Sequence, residues 1–359
     1  MPKIFRKIKP LNYLLLALPV AGLGSLLHAS PSFSFIVACL GLVPLASLIG
    51  ESTEVLAIFT GPKVGGLLNA TLGNAAELII TIVAIKAGLL DLVKASITGS
   101  IIGNLLLVLG FSVLLGGLKH GTQRFSRSHA ATNATMLVLA VIALTVPSLF
   151  NHTLTGRVLP ANTTEAISLG VAGVMIVLYV LGLLFSLRTA CPGASALAPE
   201  VPAETPQWSM RTALVVLLVA TVAVVWLSEI LVNAVNAVMA ASGLSEFFLG
   251  IILIPIIGNV SEHLVAMQMA MKNKIELSLE IALGSSLQIS LFVAPVLVFV
   301  SLAFGNYLNL IFNQFELVAL MAAVIVAALV SSDGETNWLE GTELIAVYII
   351  LGVAFFFLP

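Results

Sequence analysis

The sequence predicts an all-α integral membrane protein of about 11 transmembrane helices: an N-terminal helix followed by two inverted-topology five-helix repeats. Three observations predict it. Of the 359 residues, 59% are hydrophobic and 9% charged, against roughly 25% charged in soluble domains. Apolar windows of roughly 20 residues, the length that crosses a bilayer core, recur along the chain. The pentapeptide GNAAE at 73–77 returns as GNVSE at 258–262, 185 residues later, each inside an otherwise apolar stretch.

A soluble fold of this length keeps too much surface wet to hide such a composition. The net charge of −2 gives no reason to expect nucleic acid as a partner. Cys39 and Cys191 stand in no CxxC or metal spacing. No Walker A pattern, dinucleotide fingerprint or HExxH occurs, and no stretch is long and polar enough for a soluble catalytic domain. The expectation is therefore no enzyme, no cofactor and no visible use of ATP.

The windows run approximately 11–29, 33–58, 64–87, 92–117, 130–150, 163–187, 210–241, 245–271, 277–303, 313–331 and 341–358. A basic start followed by LLHAS also fits a signal peptide. The apolar run is long for one, so a retained first span is the reading. Residues 1–32 then form the N-terminal tail and first helix, 33–188 the first repeat and 210–359 the second. Between them, 189–209 is rich in Pro and Ala and reads as a flexible cytoplasmic linker. With the N-terminus in the cytoplasm, twelve of the fifteen lysines and arginines fall on that side, as orientation by basic loops requires. The C-terminus is then non-cytoplasmic.

The duplication extends beyond the pentapeptides. At the constant offset, Gly73, Asn74 and Glu77 align with Gly258, Asn259 and Glu262, and Gly99 and Ser100 with Gly284 and Ser285. TEVL at 53–56 echoes SEIL at 228–231. Five helices per repeat is an odd number, so the second copy enters the membrane from the opposite side, a recurrent transporter plan with the site near the midplane. Gly73, Gly258 and Pro255 are expected to interrupt their helices just before Glu77 and Glu262.

Four in-span carboxylates, Glu54, Glu77, Glu229 and Glu262, together cost on the order of 10 kcal/mol on insertion scales. No lysine or arginine stands opposite them in the pattern. Asn74 and Glu77 share a helix face, as do Asn259 and Glu262. Ser100 with Asn104, and Ser285 with Gln288, add hydroxyl and amide oxygens at helical spacing. A set of oxygens without thiols suits a hard divalent cation, Ca²⁺ above all. Cation and protons compete for the same pair, and the bare dianion does not cross cheaply. The outcome is exchange of a divalent cation for protons by alternating access. His263, beside Glu262, reads as a pH-sensitive gate or an interface histidine. Glu280, one turn before Gly284, reads as a collector of cations near the cytoplasmic mouth or a solvated helix-start carboxylate.

GGLLNATLGNAAELI at 65–79, GNVSEH at 258–263, GSSLQISLFVAP at 284–295, NWLEG at 337–341 and the 53–71 segment resemble the calcium–proton exchangers of the calcium/cation antiporter superfamily. The resemblance covers nearly all of the chain after the first span. It implies Glu77 and Glu262 as central cation ligands, assisted by Asn74, Asn259, Ser100, Ser285 and Gln288. The transported Ca²⁺, protons and the lipid bilayer are the implied partners; a homo-oligomer is left open, as are other divalent cations. The plasma membrane and an acidic internal compartment are both compatible. The half-sites are not equal: Ile289 stands where the first repeat has Asn104, and the amide falls at Gln288. The linker holds Glu200 and Glu204 alone, against a strongly acidic regulatory helix there. A sodium- or potassium-coupled calcium exchanger would be expected to add aspartates beside the motifs, and none occur. A passive channel fits poorly with an inverted repeat in one chain. A membrane-embedded enzyme would need a cluster that His120, His129 and His152, placed in loops, do not supply.

Overall fold

The computed structural model describes residues 10–153, 161–188 and 208–358. The N-terminal basic cluster, Arg157 and almost all of the linker lie outside them. Nine described helices are long and apolar enough to span a membrane, and two shorter apolar helices complete the set. In chain order they are α1 (Leu11–Leu26), α2 (Pro31–Gly61), α3 (Val64–Lys86), α4 (Leu90–His120), α5 (Arg127–Phe150), α6 (Asn162–Phe185), α7 (Met210–Ser242), α8 (Glu246–Met271), α9 (Ile275–Phe304), α10 (Gln314–Val330) and α11 (Trp338–Phe357). The two shorter ones are α1 and α10.

Local chemistry sets the boundaries. Ser30 and Ser209 cap α2 and α7 by accepting from the amides of Phe33 and Thr212. Asn313 and Glu316 form a reciprocal capping box at α10, and Asn337 and Glu340 another at α11. Gly61, with φ +82°, separates α2 from α3, a conformation open to glycine. Within the spans, hydroxyls fold back on the preceding turn, as Thr53 does on Ile49 and Ser286 on Ala282. This satisfies side chains that find no water in the hydrocarbon.

The spans divide into an inner and an outer set. Buried residues make up 72% of the most apolar stretch of α4 and 61% of that of α9, but 28% in α6 and 22% in α11. The innermost helices are thus α4 and α9, with α3 and α8 packed against them. The outer helices show lipid-ready leucine, valine and phenylalanine, among them Val174, Leu181, Phe185, Ile349 and Ile350.

The repeat is inverted in space. The turn between α3 and α4 meets the α9–α10 connection, where Asn306 Nδ2 donates to the Ile85 carbonyl at 2.8 Å. Its counterpart, between α8 and α9, meets the α4–α5 connection: Lys119 donates to the Met271 carbonyl at 2.9 Å and Gln123 to Asn273 Oδ1 at 2.9 Å. Equivalent turns therefore occupy opposite ends of α4. At the second end a two-residue ribbon pairs Gln123–Arg124 with Glu335–Thr336.

Candidate cation site

The site is built where α3, α4, α8 and α9 cross. Helix α3 is broken at Gly73–Asn74: one helical run ends at Leu72 and the next begins at Ala75. An unbroken helix would pair the Ala70 carbonyl with the Asn74 amide. Here that carbonyl accepts from Tyr179 Oη of α6 at 2.7 Å instead. The break turns the Asn74 side chain onto the other repeat, where Nδ2 donates to Gln288 Oε1 at 2.7 Å.

Helix α8 behaves differently. It runs without interruption through Gly258 from Ile254 to Met271, against the expectation of a break. Its irregularity is a π-helical turn at Leu249–Leu253, just before Pro255. That turn absorbs the proline, which then occupies the first turn of the α-helix, where a missing N–H costs nothing. Gly258 serves proximity rather than bending: the side of the helix it leaves bare faces Glu77, and an added methyl would lie 3.7 Å from Glu77 Cβ. Wide π turns also follow the serine positions, at Gly103–Val108 in α4 and Ile289–Val293 in α9. Tight backbone crossing holds the four helices together. A side chain at Gly99 would collide with the Ile251 carbonyl of α8, so glycine is the residue that permits this approach.

Glu77 is 1% exposed. Its Oε1 accepts from Ser100 Oγ, and Oε2 has no hydrogen-bond partner. Glu262 is within electrostatic reach of Glu77 and lies beside Ser285; its own Oε2 is also buried and unpartnered. A chain of polar side chains joins the halves. Asn104 Nδ2 donates to Ser285 Oγ at 3.0 Å, Ser285 Oγ donates to Asn74 Oδ1 at 3.3 Å, and Asn74 donates on to Gln288. Asn259 is buried beside Glu77 with its Nδ2 unpartnered. All eight residues expected to hold the cation therefore converge. Glu77 and Glu262 each keep one buried carboxylate oxygen without a hydrogen-bond partner, an oxygen free to accept from a proton or a cation.

The residues expected along the access pathway separate. Glu54 is exposed and within electrostatic reach of Glu262. Glu229 is not its equivalent: it forms an ion pair with Lys86 at 3.7 Å, both side chains exposed. The expectation that no cation faces the four glutamates fails there, because the end of α3 brings Lys86 alongside α7. His263 is buried, on a different side of α8 from Glu262 by the 100° step of a helix. Glu280 groups with His129 and Glu276. His129 is itself in the first turn of α5, not in a loop. Sequence reasoning also passed over Glu316, 3% exposed, which accepts from Thr98 Oγ1 at 3.1 Å and from the Asn313 amide at 2.7 Å. The N-x-x-E spacing of a capping box was its available signal.

A four-helix crossing of two inverted repeats around paired carboxylates is the architecture of a secondary cation exchanger. The chain belongs to the sodium/calcium exchanger protein family, whose profile matches residues 31–188 and 212–357. It is 46% identical over 359 residues to a Ca²⁺/H⁺ antiporter of Aphanothece halophytica, covering 96% of each chain. It is 44% identical over 345 residues to the Ca²⁺/H⁺ antiporter ChaA of Bacillus subtilis strain 168, covering 95% of this chain and 96% of that one. The solved structure of native YfkE superposes with a TM-score of 0.85 at 40% identity, over 97% of this chain and all of that one.

Proposed function

We propose that this protein is a Ca²⁺/H⁺ antiporter in which Glu77 and Glu262 bind either one divalent cation or protons. The observation that carries the reading is the pair of buried, unpartnered carboxylate oxygens, one from each repeat, ringed by amide and hydroxyl groups. Two carboxylates match the charge of Ca²⁺, and their oxygens suit its flexible coordination. Empty and ionised, the pair is too costly to move through a low-dielectric core. Loaded with cation or with protons, it is neutral and the helices can rearrange around it. Coupling follows from competition for the same oxygens.

Asn74, Asn259, Ser100, Ser285, Gln288 and Asn104 position the carboxylates and complete the shell. Exposed Glu54, within electrostatic reach of Glu262, supports an entry at the end carrying the α2–α3 and α8–α9 connections. The distribution of basic residues puts that end, with the N-terminus, in the cytoplasm and the C-terminus on the other side. No cofactor enters this scheme; Ca²⁺ is the cargo.

The test is transport in proteoliposomes. An imposed pH gradient should drive Ca²⁺ accumulation without Na⁺ or K⁺. Accumulation that follows a Na⁺ gradient and ignores pH would overturn proton coupling.

A further inference from the structure

A second cluster of metal-ligating groups lies outside the transport site. His129 in the first turn of α5 and Glu276 and Glu280 on α9 bring one ring nitrogen and two carboxylate oxygens within 4.8 Å of one another. His129 Nδ1 stands 3.6 Å from Glu276 Oε1 and makes no hydrogen bond. Asn133, one turn further along α5 and 1% exposed, lines the same small recess, and its Oδ1 is buried without a partner. An amide oxygen hidden from water and from every donor is an unusual expense in a native fold. It shares that recess with two carboxylates and an imidazole, all electron-pair donors.

We propose that this recess is a second, non-transporting site for a divalent transition metal, with Zn²⁺ as the type. The site goes beyond the exchange reading and its occupancy does not depend on it; its effect on transport rests on that reading. The imidazole nitrogen distinguishes it from the all-oxygen central site and selects Zn²⁺ over Ca²⁺. Tetrahedral ligands about 2.1 Å from a common Zn²⁺ lie roughly 3.4 Å apart, so side-chain atoms now within 4.8 Å of one another need to close by up to about 1.4 Å, within reach of rotamer adjustment. The partial exposure of His129 and Glu276 leaves an entry from solvent. The metal would tie α5 of one repeat to α9 of the other, the helix that carries Ser285 and Gln288. Its occupancy therefore restrains the movement that alternating access requires and slows exchange.

The experiment is Zn²⁺ binding to the purified full-length protein in saturating Ca²⁺, beside Zn²⁺ inhibition of Ca²⁺ uptake in proteoliposomes. Wild type should retain one Zn²⁺ equivalent that Ca²⁺ does not displace, and Glu77→Gln with Glu262→Gln should retain it too. His129→Ala and Glu276→Gln should each weaken that binding about tenfold or more and raise the Zn²⁺ needed for half-inhibition in parallel. Uptake without Zn²⁺ is the reference for wild type and the His129 and Glu276 variants and shows that they are folded; a wild-type-like thermal melt shows it for the Glu77→Gln, Glu262→Gln protein. A Zn²⁺ equivalent that Ca²⁺ displaces, or that survives both His129→Ala and Glu276→Gln, would overturn the site. Binding that leaves uptake unaffected would overturn the restraint.

Discussion

GNAAE and GNVSE are near copies in sequence, yet their backbones differ. The first lies at a helix break, with Asn74 pulled onto Gln288 and Glu77 held by Ser100. The second lies within a continuous helix, with Asn259 Nδ2 unpartnered and Glu262 next to exposed Glu54. The difference teaches that a duplicated motif specifies which atoms reach the site, while the surrounding helices decide the backbone that carries them. The first half-site is tied across to the other repeat through Asn74, whereas Asn259 makes no such link through its Nδ2 and Glu262 feels the charge of exposed Glu54. Under the proposed alternating access, such inequality between inverted halves belongs to a state that faces one side.

The largest expected effects fall on the shared element of the two halves. Glu77→Gln and Glu262→Gln should each lower pH-driven Ca²⁺ uptake more than about 100-fold, beyond the about 10–100-fold typical of supporting residues. If one variant transported normally, the site would not be a pair. Next comes the link that only the first half-site makes. Asn74→Ala and Gln288→Leu should each cost about 10–100-fold in uptake, and the double variant no more than the worse single one, because both remove one hydrogen bond. Full additivity in that cycle would break the link.

The motif glycines sharpen the comparison further. A methyl at Gly73 would clash with the Asn69 carbonyl at 2.7 Å and press on Gln288 Oε1 at 3.2 Å, whereas one at Gly258 meets Glu77 Cβ at an ordinary 3.7 Å. Gly73→Ala should reduce uptake about tenfold through the shifted backbone and the displaced amide, and Gly258→Ala should leave most of it. Equal losses would mean that both positions act as hinges. The smallest contrast is between the outer glutamates. Glu54→Gln should weaken apparent Ca²⁺ affinity a few-fold by removing a charge beside Glu262. Glu229→Gln breaks an exposed ion pair of the kind worth about 0–1 kcal/mol, so thermal stability and uptake should both stay near wild type.

Much of this was legible in the residues. Run length gave the spans, because a bilayer core accepts backbone only as satisfied helix or closed barrel. The repeat offset gave the inversion and brought Asn74, Asn259, Ser100 and Ser285 to one place. The serial position of Gly258 was misleading: glycine permits a break but does not force one, and here it permits contact with Glu77. The π turns at 249–253 and 289–293 each stand two residues before a proline, Pro255 and Pro295; proline flags an irregularity but not that it takes the form of a wide turn. Glu229 with Lys86, and His129 with Glu276, are neighbours in space across the two repeats, which single-helix spacing does not reveal. Glu316 carried a readable capping signal, but its burial against Thr98 belongs to the tertiary fold.

The central claim is that cation and protons occupy the same two carboxylates. The direct measurement is proton release when Ca²⁺ is added to purified protein in weak buffer, followed across a range of pH. The account predicts that Ca²⁺ binding to wild type releases protons, and that the Glu77→Gln, Glu262→Gln double variant neither binds that Ca²⁺ nor releases protons. Ca²⁺ binding with no proton release at any pH, or binding retained in full by the double variant, would contradict it.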